Sequence, residues 1–175
     1  QDTLVRVSDD ALFDRPVVIT NAAYRFMVRE QLAEIERDAD ILLEPCRRDS
    51  GPAIAAGAAF AAVRDPQAVV LALAADHVVG DEAAFVEACR QAVEVAASGR
   101  IVTFGIKPER AATEYGYIQV GDRIAGDVSS VAKFVEKPDE ATAAIYVRDG
   151  FLWNSGNFMF GAQALLDEYE KTDVA

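Results

Sequence analysis

The chain reads as an α/β domain: a mixed, mostly parallel sheet with helices on both faces and a small β excursion. Three observations predict this. Short apolar runs at 16–20 (PVVIT), 41–43, 69–75 (VVLALAA) and 101–106 alternate with stretches of helical periodicity. Strand and helix alternating in this way imply parallel strands joined by right-handed crossovers. After Pro108 the rhythm changes, and two strands joined by a polar, glycine-bearing connection follow each other with no helix between them.

In chain order, Pro16 to Thr20 reads as a short buried strand. A helix over 22–37 places Val28, Leu32 and Ile35 on one face, with Asn21 positioned to cap it. The strand 41–43 is ended by Glu44-Pro45, and Asp49 or Ser50 can cap the next helix, with Pro52 in its first turn. That helix, 53–63, is small-sided nearly all round. Such a surface lets a helix lie close to a sheet or a ligand, or simply marks it as buried. The run 69–75 is the third strand and stops at Asp76-His77. Helix 81–98 turns Phe85, Cys89, Ala92 and Ala96 inward and is closed by Gly99. Strands follow at 101–106, 117–120 and 128–136, the last two joined by a polar connection over 121–126. Asp139 caps a short helix ended by Gly150. An aromatic strand, 151–160, and a helix over 162–169 complete the reading, as one domain over 1–175.

Bulk properties exclude several classes. A net charge of -12 argues against a nucleic-acid binder, whose faces are basic. No apolar run approaches the ~20 residues of a membrane span, and no secretory leader opens the chain. Two cysteines, Cys46 and Cys89, lie far apart without metal-ligand spacing; this usage fits a reducing cytoplasm. The first residue is Gln1, so a piece of something longer is expected.

Asp76 is the first candidate for chemistry. A strand that delivers a carboxylate to its carboxyl end places it where ligands sit in open α/β sheets. A charge there is paired, solvated or bound to a cation, so Asp76 is a candidate metal ligand, with a helix cap or a solvated loop acid as the plain alternative. Glu136-Lys137-Pro138 closes another strand. A carboxylate can accept from sugar hydroxyls and an ammonium suits phosphate, but the pair also reads as a surface ion pair of little worth. Neighbours in an extended strand face opposite ways, so both reach one ligand only if it lies across the strand end. Gly116, between Tyr115 and Tyr117, suggests close approach of a ligand to backbone, or an ordinary bend. Asn154-Ser155-Gly156-Asn157 is a polar notch in an aromatic strand. Its amides bind something, or form a bulge and satisfy backbone groups. Arg47-Arg48 could meet phosphate or a base edge, or be solvated. His77, the one histidine, has no nucleophile partner in sequence and is expected to support its loop.

Taken together and in order, these stretches resemble a known family. Leu43-Glu44-Pro45, then Arg48-Asp49-Ser50-Gly51-Pro52-Ala53-Ile54, Ala74-Ala75-Asp76-His77, Val102-Thr103-Phe104-Gly105, Tyr115-Gly116-Tyr117, Phe134-Val135-Glu136-Lys137-Pro138 and Leu152-Trp153-Asn154-Ser155-Gly156 resemble the mannose-1-phosphate guanylyltransferases, a branch of the sugar-nucleotide pyrophosphorylases. The resemblance covers nearly the whole chain. It implies a Rossmann-like nucleotidyltransferase fold and the reaction of GTP with mannose 1-phosphate to give GDP-mannose and pyrophosphate. It further implies catalytic roles for Asp76 and Lys137, with Asp76 holding Mg²⁺ and Lys137 meeting the sugar phosphate. Glu136, Gly116 and Asn154 would bind the sugar, and Glu44, Arg48 and Ser50 would lie where guanine and ribose are read. GTP and mannose 1-phosphate are the expected partners, in the cytoplasm, with a homodimer compatible and neither nucleic acid nor membrane involved.

The family's glycine-rich phosphate loop and a later metal-binding aspartate have no counterpart in these 175 residues. The chain is therefore expected to be a catalytic domain incomplete at both ends and, alone, a poor catalyst. Glu114 stands where the family has glycine. The competing readings are a related pyrophosphorylase for another nucleotide or hexose, and a non-catalytic nucleotide-sugar binding domain.

Overall fold

The computed structural model describes residues 1–46 and 49–172. A short helix α1 (Asp2–Arg6) leads into strand β1 (Val17–Asn21), a 3-10 turn (Ala22–Tyr24) and helix α2 (Arg25–Glu34). Then come β2 (Asp40–Glu44), α3 (Ser50–Arg64), β3 (Val69–Ala72), α4 (Glu82–Ala97) and β4 (Val102–Ile106). The second half runs β5 (Tyr117–Ala125), β6 (Val128–Val135), α5 (Glu140–Arg148), β7 (Leu152–Gly161) and α6 (Ala162–Thr172).

Local rules explain where the helices begin. Asn21 Oδ1 accepts from the Ala23 N–H at 3.0 Å, Asp81 Oδ1 from Ala84 at 2.9 Å and Asp139 Oδ1 from Thr142 at 2.7 Å. Each satisfies a donor that the first helical turn leaves open. The helix expected over 22–37 opens instead as the tight 3-10 turn before α2.

The sheet is less parallel than expected. Among the described residues only β1 and β2 pair in parallel, as a separate two-stranded unit. In the five-stranded sheet every pairing is antiparallel, because β7 runs back between β3 and β4. Both are antiparallel to β7, so β3 and β4 point the same way without touching. The alternation of the first half gave strand direction correctly. It could not reveal that a strand from the end of the chain separates these two. β5 and β6 form a long hairpin beside β7. Residues 121–125, expected in a connection, belong to β5, and the turn is Gly126-Asp127. Gly121 lets the strands close up: a Cβ there would lie 2.5 Å from Ser130 Oγ.

Helices cover both faces, as expected, and strand alternation sorts the core. On one face Cys89, Ala92 and Ala96 of α4 pack with Met159, beside Val69, Leu71 and Phe104. On the other, Ala58 of α3 and Leu165 of α6 pack with Phe160, beside Val70, Ala72 and Phe158. Of α3 only Ala58 is buried. Its small residues serve close approach: a Cβ on Gly57 would lie 3.1 Å from Ile19 Cδ1. A third cluster joins Ala143 of α5 to Tyr117 and Phe151. Among the described residues, no helix is long and apolar enough to cross a membrane.

Candidate active site

Three of the expected sugar-binding residues meet where β5, β6 and β7 come together. Tyr117 pairs with Val135 of β6 on one side and with Trp153 of β7 on the other. One step back, Gly116 therefore faces both Glu136 and Asn154. A Cβ on Gly116 would lie 2.6 Å from Glu136 Oε2 and 3.5 Å from Asn154 Cβ. The Asn154 N–H donates to the Gly116 carbonyl at 2.7 Å.

Asn154 is held hard. Its Oδ1 accepts from Thr103 Oγ1 at 2.6 Å and from the Gly156 N–H at 3.2 Å. A backbone N–H only donates, so the atom facing Gly156 is the oxygen. The amide nitrogen is left with no protein partner among the described residues and remains a donor for a ligand. The notch is also a bulge, since β7 carries extra residues between its pairings with Gly105 and Thr103. Gly156, at φ +73°, supplies the left-handed backbone that the bulge needs.

Lys137 removes an obstacle raised by the strand geometry. Its φ is +45°, a left-handed backbone that is uncommon for lysine and more so before a proline. The twist breaks the alternation of an extended chain. Lys137 Nζ and Glu136 Oε1 consequently lie 3.8 Å apart, on the same side of the strand end. Both side chains are more than half exposed, so their mutual attraction is weak and each is available to a ligand.

β3 ends at Ala72, not at Ala75, because its ladder with β7 stops at Phe158. The next residue of β7, Asn157, reaches past the ladder with its side chain and takes the Ala74 N–H at 3.2 Å. Asp76 thus lies in a turn four residues beyond the strand end, and it is exposed. Its carboxylate makes no hydrogen bond or ion pair among the described residues. His77 supports this turn through its carbonyl, which accepts from Arg6 at 3.3 Å. The Asn157 carbonyl lies 3.3 Å from Thr103 Oγ1 and shares with Asn154 Oδ1, at 2.6 Å, the single proton of that hydroxyl. A string of hydrogen bonds therefore joins the Asp76 turn to Gly116, over about 10 Å of β7.

Among the described residues, no three acidic, imidazole or thiol side chains converge on a metal-sized point. One unpaired carboxylate is nonetheless a donor set that suits Mg²⁺, which is usually held by one or two carboxylates, substrate phosphates and water.

Glu44, half-buried, ends β2 opposite Asn21. Ser50 opens α3, whose N-cap Asp49 makes no side-chain capping bond. Arg47 and Arg48 lie outside the described residues. No hydrogen bond or ion pair among the described residues links Glu44 or Ser50 to the Gly116 cluster. A cavity of about 360 Å³ lined by Leu4, Asp10, Arg15, Glu36 and Arg37 lies elsewhere and holds none of the candidate residues. Glu114 has a local partner. Its carboxylate hydrogen-bonds Arg110, which holds it below the usual carboxylate range. The Arg110 guanidinium in turn lies 6.0 Å from the Trp153 ring.

Sequence reasoning gave no role of their own to Thr103 or Arg6, whereas Asn157 satisfies a backbone group, the Ala74 N–H, which is one of the two readings offered for the polar notch. The signal for Thr103 and Asn157 was a polar residue within an apolar strand, which must find a partner once buried.

A family model described as nucleotidyl transferase matches residues 2–174. The chain is 49% identical over 175 residues to the mannose-1-phosphate guanylyltransferase RfbM of Salmonella typhimurium (strain LT2), covering 96% of this chain and 36% of that protein. It is 46% identical over 182 residues to mannose-1-phosphate guanylyltransferase 2 of Escherichia coli O157:H7, covering 98% of this chain and 38% of that protein. The chain thus spans little more than a third of the length of these curated relatives. A crystal structure from Thermus thermophilus, described as a mannose-1-phosphate geranyltransferase, superposes with a TM-score of 0.85 at 34% identity, over 97% of this chain and 49% of that one. With agreement from residue 2 to residue 174, the chain belongs to the nucleotidyl transferase family.

Proposed function

We propose that residues 1–175 form part of a catalytic domain that transfers GMP from GTP to mannose 1-phosphate, giving GDP-mannose and pyrophosphate. The observation that carries this reading is the meeting of Gly116, Glu136 and Asn154 at one strand junction, with Lys137 turned to the same side as Glu136. The similarity to two mannose-1-phosphate guanylyltransferases supports the choice of substrates.

Each residue has work that its chemistry suits. The Glu136 carboxylate accepts from sugar hydroxyls. The free Asn154 amide donates to another, and Gly116 lets the ring approach the backbone. Lys137 neutralises the sugar phosphate, whose oxygen attacks the α-phosphorus in line while pyrophosphate leaves from the opposite side. Such a transfer depends on positioning and charge neutralisation more than on covalent help. The Asp76 carboxylate would hold Mg²⁺, which when bound would offset the charge of the nucleotide phosphates. Glu44, Ser50 and Arg48 would read the guanosine.

The test is Mg²⁺-dependent release of pyrophosphate by the full gene product, across a panel of nucleoside triphosphates and hexose 1-phosphates. GTP with mannose 1-phosphate should be preferred by at least about 100-fold, since a site that hydrogen-bonds its substrate rejects analogues sharply. Asp76→Ala should abolish most of the turnover. Preference for another pair, or normal turnover by Asp76→Ala, would count against the proposal.

A further inference from the structure

Among the described residues two polar or charged side chains are buried, Arg6 and Asn157, with the residues 7% and 5% exposed. They come from opposite ends of the chain, yet both act on the backbone of the same four residues. Asn157 Oδ1 takes the Ala74 N–H at 3.2 Å. Arg6 donates to the His77 carbonyl at 3.3 Å. Between them, Thr3 Oγ1 donates to the Ala75 carbonyl at 3.3 Å. The one residue of this stretch with no such tie is Asp76, whose side chain has no partner among the described residues.

Stability alone is a poor reason for this arrangement. The Arg6 side chain is 3% exposed, and its nearest carboxylate, Glu82, lies 3.8 Å away and is itself mostly exposed. Among the described residues Arg6 Nε has no hydrogen-bond partner. Its guanidinium carbon lies over the Phe85 ring, 5.8 Å from the ring centre. An apolar side chain of the same volume would fill the space without the cost of a buried charge. What such a side chain could not do is hold the His77 carbonyl. A turn beyond a strand end has no ladder to fix it, and these side chains replace the ladder.

We infer that Arg6 and Asn157 are positioning residues, which clamp the 74–77 turn from two sides so that the Asp76 carboxylate is presented preorganised to the metal and nucleotide phosphates. This rests on the role proposed above for Asp76. Neither clamp residue is assigned a contact with substrate. Partners that orient a metal-binding group typically cost about 10- to 100-fold in metal affinity when removed.

The test uses the full gene product with Arg6→Met, which keeps an apolar stem, and Asn157→Ala, which acts from the other side should the first variant fold poorly. Amide hydrogen exchange over 74–79, without metal or nucleotide, should speed up by about tenfold or more while other segments are unchanged. The Mg²⁺ concentration for half-maximal activity with GTP should rise roughly tenfold, with KM for mannose 1-phosphate unchanged. Asn157→Asp retains the acceptor and should recover the exchange protection. Unchanged exchange at 74–79 in both variants overturns the inference. So does an unchanged Mg²⁺ requirement when Asp76→Asn raises it, and then the reading of Asp76 survives. If Asp76→Asn also leaves the requirement untouched, that reading fails and the inference falls with it.

Discussion

Glu136 Oε2 occupies the space into which any side chain on Gly116 would grow, 2.6 Å from where its Cβ would be. Phe134 Cζ closes the same space at 3.0 Å. Gly116→Ala therefore displaces the carboxylate and leaves the strands paired. A shift of about 1 Å in a binding group can cost up to ~100-fold in rate. The expected outcome is a rise of at least about tenfold in KM for mannose 1-phosphate, with KM for GTP unchanged. Steady-state kinetics against each substrate checks it, and circular dichroism confirms the fold.

Lys137 separates stability from function. A left-handed residue with a Cβ costs about 1–2 kcal/mol, and glycine avoids that cost. Lys137→Gly should therefore keep or raise the melting temperature. Loss of a charge-assisted contact worth roughly 1.5–3 kcal/mol should lower kcat/KM by about 10- to 100-fold. A variant less stable than the parent would show that the positive φ is not a strain that lysine bears for its position.

The same strand end shows what sequence could and could not tell. Gly116 between two tyrosines marked a place where a ligand could near the backbone; the group that crowds it in the structure is the Glu136 carboxylate, which the sequence reading had not placed beside it. The caps Asn21 and Asp139 were legible because a cap bonds within three residues of itself. The left-handed turn of Lys137 was not, since nothing in Glu-Lys-Pro forbids an extended chain. Nor was the insertion of an antiparallel β7 between β3 and β4, which brings in a strand some 80 residues further on from β3. Nor was the burial of Arg6 legible. Its burial comes from packing against Phe85 and the His77 carbonyl, which lie outside its own element.

Tyr117 is wholly buried, and its hydroxyl donates to the carbonyl of Ala112 at 2.9 Å. Ala112 is buried as well, so removing the hydroxyl strands an acceptor. Tyr117→Phe should lower stability by about 1–3 kcal/mol, read as a shift in the midpoint of urea unfolding. Because this bond braces the segment that leads to Gly116, KM for mannose 1-phosphate should rise with it. A stability loss with no kinetic change would separate the brace from the site.

The two cysteines should react very differently. Cys46 is exposed, whereas Cys89 is buried between α4 and the sheet. Burial without a compensating charge disfavours the thiolate and pushes the Cys89 thiol up to about 12. At pH 8 roughly one Cys89 in ten thousand would carry the thiolate, even before access is considered. A thiol-specific disulfide reagent at pH 8 should therefore titrate one group in the native chain and both after denaturation. The sign with pH follows from the raised value. The unfolded thiol ionises near its ordinary value of about 8.5 while the folded one stays protonated, so burial of Cys89 favours the fold fully below that pH and progressively less above it. Fast modification of two thiols in the native protein would place Cys89 outside the core in which Ala92, Ala96 and Met159 enclose it.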